Sequence, residues 1–487
     1  MAKRKMSTFE RLQSGKMNHK EKKELKRRIL AEDASLQVVH PNAAGIDIGN
    51  ESHFVAIPPD RDATPVREFG SWTADLHEMG RWLAEHNIQT VAMQSTGVYW
   101  IAVQEVLEQY GLEVYLVNAR GTKNLPGRKS DVQECEWLRK LHTYGLLRNS
   151  FRPPEQIRAI QTIWRQRDRW VKDCGRAIQQ MQKALTKMNI QLANAISDIS
   201  GVSGQAILRA IIAGTRDPRE LAKLRDRRIA ASEEEIVQSL QGNWKDDILF
   251  ELRQVLESYD FFQNQIAACD RELAKYMADV PSRDLPEKQD IPEGARPLVS
   301  AKPTRQAKLP KKNRPNFDLA AELQRAMGVD LTLIDGIDAI TSQVIFSEIG
   351  TDFSAFPTEN HFASWLTLAP QRDISGGKVI RHISSAGRNR AANALRMAAQ
   401  SLWHSDSYLG ARYRRLRARL DGKKAVKAMA RYLACLVYRM VTKGQAYVDR
   451  GAAYFEKKRS EKERDALIRK AASIGLKLVP STESAQV

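Results

Sequence analysis

Asp47 stands inside an apolar run, Ala43-Ala44-Gly45-Ile46-Asp47-Ile48, whose other residues suit a buried strand. A carboxylate in such a run is costly unless it is paired or binds a cation. It reads either as an edge-strand acid bonded to the nearby turn or as a metal ligand. A second acidic pair, Asp131 and Glu134, is spaced three apart, which puts both carboxylates on one face of a helix. Leu138 and Leu141 continue that face, so Glu134 opens its core-facing side. Acids in a first turn also complement the helix dipole without doing chemistry, and both readings stand on these residues. The third candidate is Ser375, followed by Gly376-Gly377, which let a backbone approach a ligand closely. Arg372, Lys378, Arg381, His382, Arg388 and Arg390 crowd around it in sequence. Cations and a Gly-rich loop suit a phosphodiester, and an exposed hydroxyl there could attack it. A Ser-Gly turn on a basic DNA-binding surface is the plainer alternative.

The elements around these residues follow from pattern. Gly45–Ile48 and Phe54–Ile57 are β-type runs flanking a break with Gly49 and Asn50, which predicts a hairpin. Leu76, Met79, Trp82 and Leu83 fall at helical spacing, and Thr90–Met93 is a short apolar strand. A helix from about Trp100 to Tyr110 and a strand at Glu113–Val117 complete a βαβ-type alternation. Two parallel-type strands beside an opening hairpin point to an RNase H-like α/β sheet. A basic loop with Lys123, Arg128 and Lys129 then leads to Ser130-Asp131-Val132-Gln133, which has the form of a capping box. The helix it opens should run to about Leu147.

After Pro153-Pro154 the pattern changes to heptads. Ile157, Ile160, Trp164, Val171, Cys174, Ile178, Met181, Leu185, Met188 and Leu192 form one series, broken only at Arg167. Ile248, Leu252, Val255, Tyr259, Phe262, Ile266, Cys269, Leu273 and Tyr276 form an unbroken second. Together they predict a long antiparallel coiled-coil hairpin or a dimerising arm. Seven prolines among Lys and Arg mark 281–317 as an extended linker. Beyond it, Leu331–Ser342 has the helix–Gly–helix look of a helix-hairpin-helix, whose turn amides can face a phosphate. Helices rich in Ala, Arg and Lys follow from about Arg390 to Gln445. The expected division is a basic arm at 1–40, the sheet domain at 41–154, the coiled-coil arm at 155–280, the linker at 281–317, a mainly α domain at 318–450 and a charged tail at 451–487.

The chain has 487 residues, with Lys and Arg numbering 77 against 58 Asp and Glu, a formal charge of +19. That excess favours a polyanionic partner, nucleic acid first. The four cysteines fit no metal-ligand spacing and read as reduced core thiols of a cytosolic protein. The sequence has no apolar N-terminal segment and no uninterrupted 18-residue apolar run, so neither export nor a membrane span is expected.

Taken together, the chain resembles the DEDD transposases of the insertion-sequence family that includes the pilin-gene invertase. The matching stretches are Gly45-Ile46-Asp47-Ile48-Gly49, Met93-Gln94-Ser95-Thr96-Gly97-Val98-Tyr99 and Leu116-Val117-Asn118-Ala119-Arg120. Lys129-Ser130-Asp131-Val132-Gln133-Glu134, Leu141-His142-Thr143-Tyr144-Gly145-Leu146-Leu147 and Ser150-Phe151-Arg152-Pro153 continue the match. Later come Leu368-Ala369-Pro370, Ser375-Gly376 and Gly387-Arg388-Asn389-Arg390. The resemblance covers about residues 44–153 and 323–445.

It implies a RuvC-like domain whose four acids hold a divalent metal, Mg²⁺ or Mn²⁺, and a C-terminal serine nucleophile. By position, Asp47 and Asp131 match the first and third acids. Glu134 stands where the family usually has Asp, and Gln94 where it usually has Glu. A longer carboxylate still reaches a metal, whereas the amide supplies no charge but keeps a carbonyl donor. The resemblance further implies DNA cleavage and rejoining through a phosphoserine link at element ends and target. It also implies a structured guide RNA. Because the metal acids and the serine lie on separate domains joined by a long arm, they are expected to meet across protomers of a homo-oligomer (dimer or tetramer) built through the coiled coil, in a cytoplasmic, nucleoid-associated bacterial protein. On that reading Lys123, Arg128, Lys129, Arg372, Lys378, Arg381, Arg388 and Arg390 contact nucleic acid. Two rivals remain at this stage: a RuvC-like junction nuclease that forms no covalent link, and a nucleic-acid-binding scaffold whose metal site has decayed at Gln94.

Overall fold

The structure is a computed structural model that describes residues 17, 19–31, 36–94, 97–118, 130–283, 313–375, 378–383, 389–444 and 451–476. The expected hairpin forms from β1 (Ala43–Ile48) and β2 (Ser52–Ala56), paired antiparallel with Asp47 opposite Phe54. The Gly49 amide donates to the Ser52 carbonyl at 3.0 Å and closes the turn. β4 (Thr90–Gln94) and β5 (Glu113–Val117) run parallel to β1 and to each other. An additional strand, β3 (Val66–Gly70), pairs antiparallel with β2 and completes a mixed sheet in the order β3-β2-β1-β4-β5. This is the α/β, RNase H-like arrangement expected for the N-terminal region.

The two faces of the sheet are covered differently. On one, Ile46, Ile48, Val91, Met93, Val114 and Leu116 pack with α2 (Thr73–Glu85) and α3 (Trp100–Gln109). On the other, Ala92 and Val117 meet Leu138 and Leu141 of α4 (Asp131–Thr143). α1 (His19–Leu30) joins that second core through Leu25 and Ile29, four apart, so part of the basic N-terminal arm is a docked helix. α4 stops at Thr143, short of the expected Leu147. Gly145 turns left-handed (φ +62), and the Gly145 and Leu146 amides donate back to His142 and Leu141, a Schellman-type stop.

Contacts divide the chain into two units, residues 1–152 with 370–384, and 153–369 with 385–487. The first therefore contains, besides the sheet, an antiparallel hairpin of β6 (Gln371–Ser375) and β7 (Lys378–Ile383).

The second unit is helical. α5 (Glu155–Lys187) and α10 (Asp246–Ala278) are 33 residues each. They run antiparallel, because Arg167 meets Asp270, Cys174 meets Gln263 and Lys187 meets Glu251. The heptad break at Arg167 is a buried ion pair. Arg167 and Asp270 are 3 and 5% exposed, and both remaining polar edges are satisfied. Arg167 Nη1 donates to the Asn313 carbonyl at 3.0 Å, and the Asn316 amide donates to Asp270 Oδ2 at 3.2 Å. Between the long helices lie α6 (Leu192–Ala195), α7 (Val202–Ile212), α8 (Pro218–Ala222) and α9 (Glu233–Ser239). Ile207, Ile211, Leu221 and Ile236 share a core with Met181 and Leu185, so the pair ends in a small helical domain and not a bare turn.

Most of the Pro-rich linker lies outside the described residues. After it come α11 (Leu319–Met327), α12 (Ala339–Ile349), α13 (Glu359–Trp365), α14 (Arg390–Ser401), α15 (Tyr408–Arg419), α16 (Gly422–Lys443) and α17 (Gly451–Ser473). The first limb of the expected helix-hairpin-helix is only a 3-10 turn, Leu331–Leu333. Its Gly336 (φ +87) sits so close to the Ala398 carbonyl that a side chain would collide, and Asp335 accepts from the Ser407 hydroxyl at 2.6 Å. The turn is a packed corner. The charged C-terminal segment likewise contains a folded helix, α17, held on α15 by Tyr408 against Tyr454 and Phe455 and by Arg415–Glu463. Among the described residues no helix is long and apolar enough to cross a membrane.

Candidate active site

Gly45 decides how the acidic residues meet. A Cβ there would collide with the Cys135 carbonyl and the Arg139 amide, so only glycine lets α4 lie directly on β1. One step toward the start of the strands, Thr90 pairs with Ala43, and its hydroxyl bonds His142 Nε2 at 2.8 Å. Going up the strands therefore means going down α4 toward its N-terminus. Two strand residues rise about 6.6 Å, and four helical residues about 6 Å. The level above Gly45 and the Cys135–Arg139 segment is thus Asp47 facing the first turn of α4, where Glu134 and Asp131 stand. Alternation along β1 puts Asp47 on the same face as Gly45.

Gln94 joins them by register. Gly45 pairs with Ala92 and Ile46 with Met93, so the next parallel neighbours are Asp47 and Gln94, on strands about 4.8 Å apart. Ala92 belongs to the α4 side of the sheet, and alternation returns Gln94 to that side. The site lies at the carboxyl ends of parallel strands, where open α/β sheets place their ligands.

Asp47, Gln94 and Glu134 are half-buried, while Asp131 is exposed at the first position of α4. Ser130 caps the helix by accepting from the Gln133 amide at 3.3 Å; the reciprocal bond expected of a capping box is not formed among the described residues. Burial pushes the Cys135 thiol up to about 12, and the charges of Glu136 and Asp47 push the same way. Asp47, Gln94, Glu134 and Asp131 offer only oxygen donors, which fits a hard divalent cation. Among the described residues, however, no three His, Cys, Asp or Glu side chains are gathered closely enough to hold one. The donor chemistry fits a metal, and Asp131 is the member of the set that is exposed.

The remaining candidates are placed as follows. Ser375 ends β6 and pairs with Lys378, and Arg372 and Arg381 also lie on the hairpin; their side chains are outside the described residues. Lys123, Arg128, Lys129 and Arg388 lie wholly outside them. Arg390 opens α14, half exposed, 3.2 Å from Asp168, and Asn389 caps that helix by accepting from the Ala392 amide. The cysteines are free thiols, two buried and two half-buried. Sequence reasoning missed Arg139, a buried arginine on the face of α4 that lies against Gly45. It also missed His142, stacked on His40 and tilted against Tyr115 beneath the sheet. Each is a polar residue within an apolar helical stripe, a signal that was there to read.

Family comparisons bear on both regions. A DEDD transposase model of IS110 type matches residues 44–190, the sheet, α4 and the start of the long helical pair. A second model, described as transposase, IS116/IS110/IS902 family, matches residues 330–414. No curated protein matches the chain. With the acid-bearing sheet and the later helical region matched in that order on one polypeptide, the two matches support an IS110-type DEDD transposase, a DNA transposase/recombinase enzyme.

Proposed function

We propose that this transposase cuts and rejoins DNA by phosphoryl transfer, with the Asp47–Gln94–Glu134 end of the sheet holding a divalent cation and Ser375 acting as nucleophile. The observation that carries the reading is the convergence of Asp47, Gln94 and the first turn of α4 on one face at the carboxyl ends of β1 and β4. Asp47 and Glu134 would be carboxylate ligands, Gln94 would offer its amide carbonyl, and Asp131 would close the set from the helix start. A bound Mg²⁺ or Mn²⁺ would supply charge stabilisation at the scissile phosphate.

The chain's own residues account for the rest. The Ser375 hydroxyl oxygen attacks phosphorus as its proton leaves to solvent or a neighbouring carboxylate. The phosphorus–oxygen bond to one strand end breaks, and that end departs as a hydroxyl. The resulting phosphoserine diester conserves the bond energy, so attack by a strand hydroxyl restores DNA and frees the serine without ATP. Arg372, Lys378 and Arg381 would balance charge on the equatorial oxygens, and Lys123, Arg128, Lys129, Arg388 and Arg390 would hold flanking phosphates. The grouping of the β6–β7 hairpin with the sheet unit supports a serine and acids that serve one site. The antiparallel α5–α10 pair would supply the oligomer contact, a reading that rests on its heptads; a structured RNA from the element would choose the DNA, which rests on the family resemblance, as does a nucleoid-associated location.

Trapping the adduct tests this. Denatured reactions should hold DNA covalently attached at Ser375 and none in Ser375→Ala; a nucleotide remnant on another residue would remove the assignment. A decayed scaffold has one observation in its favour, the open acid set with an amide at Gln94. It predicts DNA binding with no cleavage in Mg²⁺ or Mn²⁺.

A further inference from the structure

Within the helical unit, α5, α12 and α14 enclose a cavity of about 580 Å³ whose walls include Asp168, Lys172, Glu348, Arg390, Asn393 and Arg396. Its two acids are already engaged. Glu348 is held by Arg165 at 2.7 Å, and Asp168 is shared between Lys172 at 2.6 Å and Arg390 at 3.2 Å. Arg396 has no carboxylate or hydrogen-bond partner among the described residues. Neither has Lys427, which lies on α16 within electrostatic reach of Arg396. Both cations are only half exposed. Burial lowers the Lys427 pKa, and the Arg396 charge lowers it further, so the pair is held together against its own repulsion. Arg396, a partly desolvated cation without a counter-charge, lines the cavity beside Arg390, and this makes an anion site to which the nearby Lys427 adds positive charge.

We propose that this cavity seats a backbone phosphate of the DNA substrate against Arg396, whose charge Lys427 reinforces from α16, with Arg390 exchanging Asp168 for the phosphate as the strand arrives. The inference rests on the family's DNA partner and not on the metal or serine assignments. The cavity carries Asn389 and Arg390, the end of the Gly387–Arg390 motif, and so binds that motif to a place where phosphate charge is needed. Asp168 serves as a stand-in anion in the free protein. Its removal should therefore favour DNA, which no purely structural role for the pair would predict.

The experiment is binding of a fluorescent DNA duplex across a salt series, in the full chain. Arg396→Gln and Lys427→Gln should each weaken binding roughly tenfold and lower the slope of log affinity against log salt by about one. Lys427→Arg, which keeps the charge, should hold the wild-type slope, and Asp168→Asn should bind more tightly than wild type. Lys275→Gln, an equal loss of charge on α10, should leave affinity unchanged, and circular dichroism confirms that each variant is folded. Wild-type affinity and slope in folded Arg396→Gln and Lys427→Gln would overturn the proposal. So would a loss confined to RNA probes, or weaker DNA binding by Asp168→Asn. A wild-type chain that binds no DNA would overturn the DNA-partner reading together with the cavity, whereas unchanged variants beside a binding wild type would sink the cavity alone.

Discussion

Asp47 and Arg167 are both charges that interrupt an apolar pattern, one in β1 and one in the heptads of α5, and the structure resolves them in opposite ways. Arg167 finds a carboxylate of opposite sign on the facing helix, with backbone groups at Asn313 and Asn316 completing both sides. A fully satisfied buried pair of this kind sets helix register and offers no free valence. Asp47 instead is brought beside an amide and the acid-bearing first turn of α4, near the Cys135 thiol that burial chiefly, and the Glu136 and Asp47 charges in smaller part, push upward. Oxygen donors of like sign on one face are unfavourable for stability and suited to a cation. On the proposed reading Arg167 is a structural charge and Asp47 a chemical one, and variants at the two positions separate them.

The largest effect that would test this contrast is at the buried pair. Arg167→Met should cost about 3–5 kcal/mol by leaving Asp270 buried and unpaired, while Arg167→Met with Asp270→Leu should restore most of the loss; urea melts measure both. If the double variant is as unstable as the single, the pair does more than satisfy itself. Next is Gly45→Ala, which pushes α4 off β1 and should cost about 1–3 kcal/mol. Cleavage should fall with it, since Asp47 and Glu134 separate.

Acid should then weaken the first unit through His142. Burial, with a smaller contribution from His40, lowers its pKa to about 3 in the folded chain, against 6.5 for an ordinary histidine. Below pH 6.5 the unfolded chain takes a proton that the folded chain refuses until about pH 3. The associated stability is whole above 6.5 and drains as pH falls, by about 2 kcal/mol at pH 5. Melts at pH 7.5 and 5 should show this loss, and His142→Asn should shrink it. The smallest effect is at Gln94. Gln94→Glu should tighten divalent-cation binding on the order of tenfold, read by calorimetry; weaker binding would mean the amide is itself a needed donor.

Pattern made much of this legible. The β1–β2 hairpin, β4, β5, α4 and both long helices announce themselves by period, and Asp47 and Glu134 by breaking or opening an apolar stripe. β3 was missed because Arg67 and Glu68 occupy its centre, and an edge strand tolerates charges that a central one would not. α17 was read as tail because its residues are mostly charged, and its hold on α15 is carried by only two aromatic residues at one end and the Arg415–Glu463 ion pair. The partner of Arg167 could not be found locally, since Asp270 is over a hundred residues away. Gln94 carries no signal of its own, as an amide after an apolar strand is unremarkable; only the family resemblance drew attention to it. Its place beside Asp47 is a property of register, which periodicity alone does not set.

The central claim is that Asp47 is a chemical charge and not a structural one, and Asp47→Asn separates the two. Strand cleavage of DNA carrying the element ends, in Mg²⁺ and with the same preparation melted in parallel, should fall on the order of 10²–10³-fold while stability and DNA affinity stay at wild-type levels. Cleavage at the wild-type rate, or a loss of activity that merely follows a loss of stability, would contradict the account.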